Sequence, residues 1–429
     1  MLFCLATLQH NYYTMSRSKS QIECSNQSQI GLVNGKKSVF EVDSECSTIM
    51  FREILSDKSS SGRERPWQLK KCNNMILEKY YRDISSLYAD ELDDLEESEY
   101  FSKRAVRLHN CCTHLVFNSH EDGSLKLKQM MACKVRLCPL CTWRRSMKLH
   151  YQSRKVFEYL EQEYSGEYDV LMLTLTVVNC YGGDLSKTID LLMKSWNNLL
   201  KRNELKQFKG WYRGLEVTHD NNEFVTEKLF RKKRNYYLKR GLKVGDKNPT
   251  FDTYHPHLHI LLVAPKSYLQ HQEIKRGYIT KEKWLKMWQE VTCDSRITQI
   301  DISQIRARKK VSNPDDVKLS NSGLVNAVCE TTKYTVKEGD YIAPWDWSLS
   351  VRTVMVLDKA LYKRRLVAWG GILKDIHKKL NLDDVVDGDL LNVGEDDEIS
   401  VDSDIEVNAF WNFGYQQYFV GDWQFLNIE

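Results

Sequence analysis

His255, His257 and His259 occupy alternate positions of the apolar stretch YHPHLHILLV. In a β-strand, side chains two apart emerge on the same face, so two imidazoles there can converge on one ion. A lone histidine on such a strand is ordinarily a core residue; three within five residues predict a metal centre, with His257 and His259 as ligands. A third, acidic ligand is expected from Glu216, which stands mid-strand in GLEVT between Leu215 and Val217. Two histidines and one carboxylate leave positions open, and an ion so held can polarise a phosphate oxygen. Mg²⁺ and Mn²⁺ both suit phosphate chemistry, with Mn²⁺ the better match to imidazole.

In GLVNAVCETTKYTVK, Glu330 and Tyr334 lie one helical turn apart and Lys337 follows three residues later, so all three can share a helix face. An isolated Glu-x-x-x-Tyr is usually an ordinary solvated pair; the company of the histidines gives this one chemical meaning. Five of the twelve cysteines fall between Cys111 and Cys141. Cys133, Cys138 and Cys141 form a C-x4-C-P-x-C knuckle able to offer thiolates to Zn²⁺, with Cys111, Cys112, His109 and His114 as candidates for the fourth position. Such clustering in a large chain indicates a reducing compartment rather than a disulfide framework.

These groups need elements to hold them. VLMLTLTVV (170–178), WYRGLEVT (211–218) and HLHILLV (257–263) read as strands, being short, apolar and rich in β-branched residues. LSKTIDLLMKSWNNLLKR reads as an amphipathic helix with Ile189, Leu192, Trp196 and Leu199 on one face, and ITKEKWLKMWQEV and 323–337 as further helices. Strands interleaved with helices give an α/β or α+β core. The stretch 67–110 has helical spacing with neither Gly nor Pro, and residues 1–65, rich in Ser, Asn, Gln and Lys, read as a disordered arm. The predicted organisation is therefore an arm (1–65), a helical region with the cysteine module (66–164), a catalytic core (165–380) and an acidic tail (381–429).

The formal charge of +4 conceals an asymmetry: thirteen Asp and Glu and no Lys or Arg follow Lys379, which leaves +17 on residues 1–379. That excess favours a polyanionic partner, since each neutralised phosphate releases counterions. No apolar run reaches 18 residues and the apolar opening MLFCLATL lacks a basic flank, so a soluble, cytoplasmic protein without membrane association is expected.

Three motifs in order, LTLTVVN (173–179), HPHLHILL (255–262) and ETTKYTVK (330–337), resemble those of plasmid rolling-circle replication initiators of the HUH endonuclease superfamily, in the branch with one catalytic tyrosine. GLEVT, with Glu216, is similar to the segment preceding the histidines in that branch. The resemblance spans about residues 105–370. It implies an α+β fold whose central antiparallel sheet, flanked by helices, carries the histidines on a middle strand and is preceded by the cysteine zinc module. It also implies that Tyr334 attacks origin DNA at a single-stranded or cruciform nick site, leaving a 5′-phosphotyrosyl link and a 3′-OH for the host polymerase, assisted by the host helicase. Glu330 would activate water for the terminating cleavage, and Lys333 or Lys337 would stabilise negative charge or depress the phenol pKa. The resemblance favours a cysteine as fourth zinc ligand, and Cys111 is taken. Arg144 and Arg145, just after the knuckle, and Lys333 are expected to contact DNA.

One departure from the family is the long, basic connection 219–253, in which Lys and Arg interleave with Phe and Tyr. Such a composition suits gripping phosphates and stacking bases, though a solvated loop would look alike. Two other readings compete: a zinc-knuckle DNA-binding regulator without nuclease activity, which leaves the histidines and Tyr334 unexplained, and an HUH transposase or relaxase.

Overall fold

The computed structural model describes residues 29–33, 36–42, 49–59, 61–120, 123–270, 277–305, 336–384, 388–391, 393–394 and 405–421. Among these, the strands are β1 (Gln29–Val33), β2 (Lys36–Val42), β3 (Ile49–Ile54), β4 (His114–Ser119), β5 (Leu125–Met130), β6 (Tyr168–Thr176), β7 (Gly210–Asp220), β8 (Thr253–Pro265), β9 (Ile300–Gln304), β10 (Val367–Gly371), β11 (Glu406–Asn412) and β12 (Gln417–Val420). They form two antiparallel sheets in a mixed α+β chain. The chain divides into two compact units, one of residues 1–145, 344–354 and 389–429, the other of 146–343 and 355–388.

The first unit holds a seven-stranded sheet in the order β1-β2-β3-β12-β11-β4-β5. Two sequence expectations are corrected here. The arm expected to be disordered contributes β1, β2 and β3, β1 pairing antiparallel with β2 and β2 with β3. The end of the chain expected to be an acidic tail contributes β11 and β12, which insert Ala409, Phe410, Trp411, Tyr418 and Phe419 into the interior. Its composition is dominated by acids that precede these strands, and that average masked the aromatic hairpin.

Helix Trp67–Asp90 and helix Leu95–Asn110 satisfy the helical reading of 67–110 but break between Glu91 and Asp94. Asp94 caps the second helix, its carboxylate accepting the Glu97 N–H at 3.0 Å. Buried Leu77, Tyr81 and Ile84 of the first helix belong with Phe101, Ala105 and Leu108 of the second, and Tyr88 stacks on Phe101 at 5.6 Å. Truncating a buried Phe such as Phe101 to Ala costs about 3–5 kcal/mol.

The second unit holds a five-stranded sheet in the order β10-β7-β8-β6-β9. All three expected strands are present, as β6, β7 and β8, and β8 is the middle strand. Its residues alternate between two covered faces. Leu261 and Val263 join Tyr212 and Val170 beneath Leu149, Val156, Phe157 and Leu160 and beneath Leu373 and Ile376. Leu258, Ile260 and Leu262 are also fully buried, which is why this strand reads as a nearly continuous apolar run. Helix Leu185–Leu200 buries Ile189, Leu192, Trp196 and Leu199, the face its spacing marked. Helix Lys281–Thr292 buries Trp284 and Trp288 and meets it where Ser195 Oγ donates to the Val291 carbonyl. The expected helix 323–337 lies outside the described residues except for Val336 and Lys337. No described helix is long and apolar enough to cross a membrane.

Candidate metal centres

The pairing of β7 with β8 sets Glu216 directly opposite His257 and Gly214 opposite His259. With no side chain on Gly214, the Glu216 carboxylate can lean diagonally toward His259, a pairing reach that strands allow. One oxygen of Glu216, Oε2, lies 2.9 Å from His259 Nε2 and 3.4 Å from His257 Nε2. The other, Oε1, accepts a hydrogen bond from Lys337 Nζ at 2.8 Å. The ligand atoms of Glu216, His257 and His259 all fall within 4.8 Å of one another.

Both imidazoles are oriented from behind. His257 Nδ1 lies 3.0 Å from the His255 carbonyl, and His259 Nδ1 lies 3.4 Å from Thr174 Oγ1, so each ring turns its Nε2 into the cluster. Burial alone would raise the Glu216 carboxyl, but hydrogen bonds from His257, His259 and Lys337 outweigh it and hold the group well below the usual carboxylate range. Burial pulls the Lys337 ammonium down, and the Glu216 carboxylate more than restores it. His255 stacks on His257 at 5.2 Å but stays outside the cluster; burial, then the charge of His257, push it down to about 4, so its ring is neutral near pH 7. Two Nε2 atoms and a carboxylate oxygen, each from a rigid strand, fit a divalent cation that tolerates mixed N/O ligands, with coordination positions to spare.

Sequence reasoning passed over the groups that brace this centre. His219 Nε2 lies 3.0 Å from Asp252 Oδ1, its Nδ1 lies 3.0 Å from the Asp340 carbonyl, and Asn221 donates to the Gly339 carbonyl at 2.8 Å. Burial raises the Asp340 carboxyl to about 6, while its Oδ2 accepts the Lys337 N–H. These bonds fasten the segment just after Lys337 to the end of β7. His219 continues the buried face of Leu215 and Val217, where a lone histidine reads as an ordinary core residue, and Asp340 lies in the four-residue helix Glu338–Tyr341, so neither carried a sequence signal. Glu330, Lys333 and Tyr334 lie outside the described residues.

The second centre lies in the other unit. The sulfurs of Cys111, Cys133, Cys138 and Cys141 fall within 4.8 Å of one another, all four buried. Cys111 Sγ lies 3.7 Å from both Cys138 and Cys141, and Cys133 Sγ lies 3.7 Å from Cys141. Four thiolates at ~2.3 Å around Zn²⁺ have tetrahedral edges of about 3.8 Å, so the spacing fits that ion. Cys112 touches Cys111 at 3.9 Å but is not among the four. Asn74 donates to Cys138 Sγ at 3.4 Å and the Cys133 N–H to Cys111 Sγ at 3.5 Å. Fully buried Lys71, bonded to the carbonyls of His109 and Cys111, places a positive charge beside a site whose zinc tetrathiolate would be doubly negative.

Arg144 requires a correction. Its guanidinium is fully buried, donates to the carbonyls of Leu390 and Leu391 at 2.9 and 2.6 Å and lies near the rings of Trp67 and Trp143, so it is not a DNA-contacting surface residue. Neighbours on a helix point about 100° apart, and Arg145 is partly exposed, donating to the Lys134 carbonyl.

Residues 124–419 match a family model described as "Replication protein". A "Protein rep" of Bacillus amyloliquefaciens is 32% identical over 370 residues, covering 85% of this chain and 96% of that protein. A "Protein rep" of Streptococcus pneumoniae serotype 2 is 31% identical over 372 residues, covering 86% and 96%. One from Lentilactobacillus hilgardii is 30% identical over 374 residues, covering 86% of this chain and all of that protein. No solved structure matches.

Proposed function

Because this chain belongs to the replication-protein family of plasmid replication initiators, we propose that it starts rolling-circle replication by nicking origin DNA, in the manner of an HUH endonuclease. The observation that carries the reading is the convergence of His257, His259 and Glu216 at one point, with Lys337 tied to that carboxylate. Tyr334 is only three residues upstream of Lys337, so the chain cannot carry its Cα more than about 11 Å from that of Lys337.

Glu216, His257 and His259 would hold a divalent cation, Mn²⁺ or Mg²⁺, which would supply Lewis-acid polarisation of the scissile phosphate. Tyr334 Oη attacks the phosphorus: the Oη–P bond forms, the P–O3′ bond breaks, and the phenol proton is balanced by protonation of the leaving 3′ oxygen. The product is a 5′-phosphotyrosine that conserves the phosphodiester energy and a free 3′-OH for the host polymerase. Lys337 offers its ammonium to a non-bridging oxygen, and Lys333 and Arg145 contact the DNA. Glu330, four residues before the nucleophile in sequence, activates water when the displaced strand is cut at the end of the round. The four cysteines would fill every position of a bound Zn²⁺, which would leave that ion a structural role.

With Mn²⁺, purified protein should relax supercoiled plasmid carrying its origin and become covalently attached to the 5′ end, and Tyr334→Phe should do neither. A Tyr334→Phe protein that nicks as well as wild type removes Tyr334 as nucleophile.

A further inference from the structure

The connection between β7 and β8 holds nine Lys and Arg against three acids in residues 221–250. It is a built element rather than a solvated loop. Asp220, at the end of β7, is its hub: its carboxylate accepts from Asn248 Nδ2 at 3.0 Å and Thr250 Oγ1 at 2.8 Å and pairs with Lys233 at 3.3 Å. Two short helices, Glu227–Lys232 and Arg234–Leu238, fold over buried Val225 and Tyr237, and Phe224 bridges to Lys247.

This packing decides which polyanion fits. The sequence suggested rings for stacking bases, yet Tyr237 is buried against Phe230, and Arg240 covers Tyr236 at 3.9 Å. Of the aromatic rings here, Phe224 is the exposed one. Single-strand binding relies on successive stacking platforms, which this surface lacks. It presents cations instead: Lys228, Lys232, Arg234, Lys239, Lys243 and Lys247 are exposed and make no ion pair with a described residue. Such a surface can neutralise phosphates without reading bases.

Its position gives the charges a task. The connection leaves β7 four residues after Glu216 and rejoins β8 four residues before His257, so its base lies about 13 Å along the strands from the metal residues. His219 and Asn221 also bind the main-chain carbonyls of Asp340 and Gly339, and Asp252 holds the His219 ring, which fixes its base against the Lys337 segment. We infer that residues 221–250 form a phosphate clamp that grips the backbone of double-stranded DNA beside the nick site and holds the scissile strand over the metal centre. The inference rests on the proposed action on DNA and adds the duplex as the ligand of this surface.

The test uses the full chain carrying K228Q, K232Q, R234Q and K239Q together, with a short duplex and a single strand of arbitrary sequence as probes and no added Mn²⁺. Four lost phosphate contacts should lower the slope of log affinity against log salt on duplex by about 3–4 and weaken duplex binding more than ~10-fold near physiological salt, with single-strand affinity nearly unchanged. An unchanged duplex slope overturns the inference. So does an equal loss on single strand and duplex, which would make the surface a general polyanion sink. Binding is read without cleavage, so a failed nicking reaction would refute the proposed function and leave this measurement standing.

Discussion

Lys337→Met separates the binding of the cation from its use. In the wild type the ammonium sits 2.8 Å from Glu216 Oε1 and draws negative charge from the carboxylate that must face a divalent ion. At that distance a unit pair is worth about 1.5 kcal/mol in bulk water and about 6 kcal/mol at an effective dielectric of ~20. The Lys337 side chain is 52% exposed and that of Glu216 11%, so screening brings the net effect to about 1–2 kcal/mol. Removing the ammonium should therefore tighten Mn²⁺ binding roughly 5–30-fold. Free Mn²⁺ counted by electron paramagnetic resonance during titration would measure this, the cysteine site being unsuited to Mn²⁺. Cleavage at saturating Mn²⁺ should fall, because a donor to the phosphate is gone. Weaker or unchanged Mn²⁺ affinity would refute the idea that Lys337 restrains the charge of Glu216.

Three further outcomes are expected. His259→Ala should abolish measurable Mn²⁺ binding and nicking, while zinc content, read by atomic absorption, stays at the wild-type level; a variant that still binds Mn²⁺ normally would dissociate His259 from the centre. Cys138→Ser should lose zinc and a share of the ~10–16 kcal/mol that structural zinc contributes, on the order of 3 kcal/mol, seen as a lower melting temperature; full zinc retention would contradict the four-cysteine assignment. Asp340, raised to about 6 by burial, is ionised at a cost above that pH and equally protonated folded or unfolded well below its ordinary 3.8. Its contribution therefore improves as pH falls from about 7 to 4, by up to about 2–3 kcal/mol. Asp340→Asn should accordingly gain stability over wild type at pH 7 and lose that advantage near pH 4 in denaturant melts, and a gap independent of pH would show that burial does not strain this carboxylate.

Much of the second unit could be read from residue order, because strand periodicity acts over two residues and β6, β7 and β8 are long and apolar. The same periodicity put His257 and His259 on one face. It could not say that Glu216 pairs with His257 in register, since register depends on a partner strand some forty residues away. Cysteine spacing identified Cys133, Cys138 and Cys141 for the same local reason, while Cys111 needed a resemblance to choose it over Cys112. Composition failed where it averaged unlike segments: β11 and β12 follow an acidic run, and β1 to β3 lie within polar sequence. Arg144 was misplaced because adjacency in sequence says nothing about which side of a helix faces inward.

The four-cysteine centre also bears on how the first sheet ends. Cys111 stands just before β4 and Cys133 just after β5, so an ion joining them closes a ring around that hairpin. Among the described strands the hairpin is the last pair on its side, and β4 covers the hydrogen-bonding edge of β11. Without the ring the hairpin is tethered more loosely, and β11, with Phe410 and Trp411, becomes an open edge of the kind that recruits strands from other molecules. Zinc starvation would then show itself as self-association of the protein, ahead of any defect in the chemistry at the other centre.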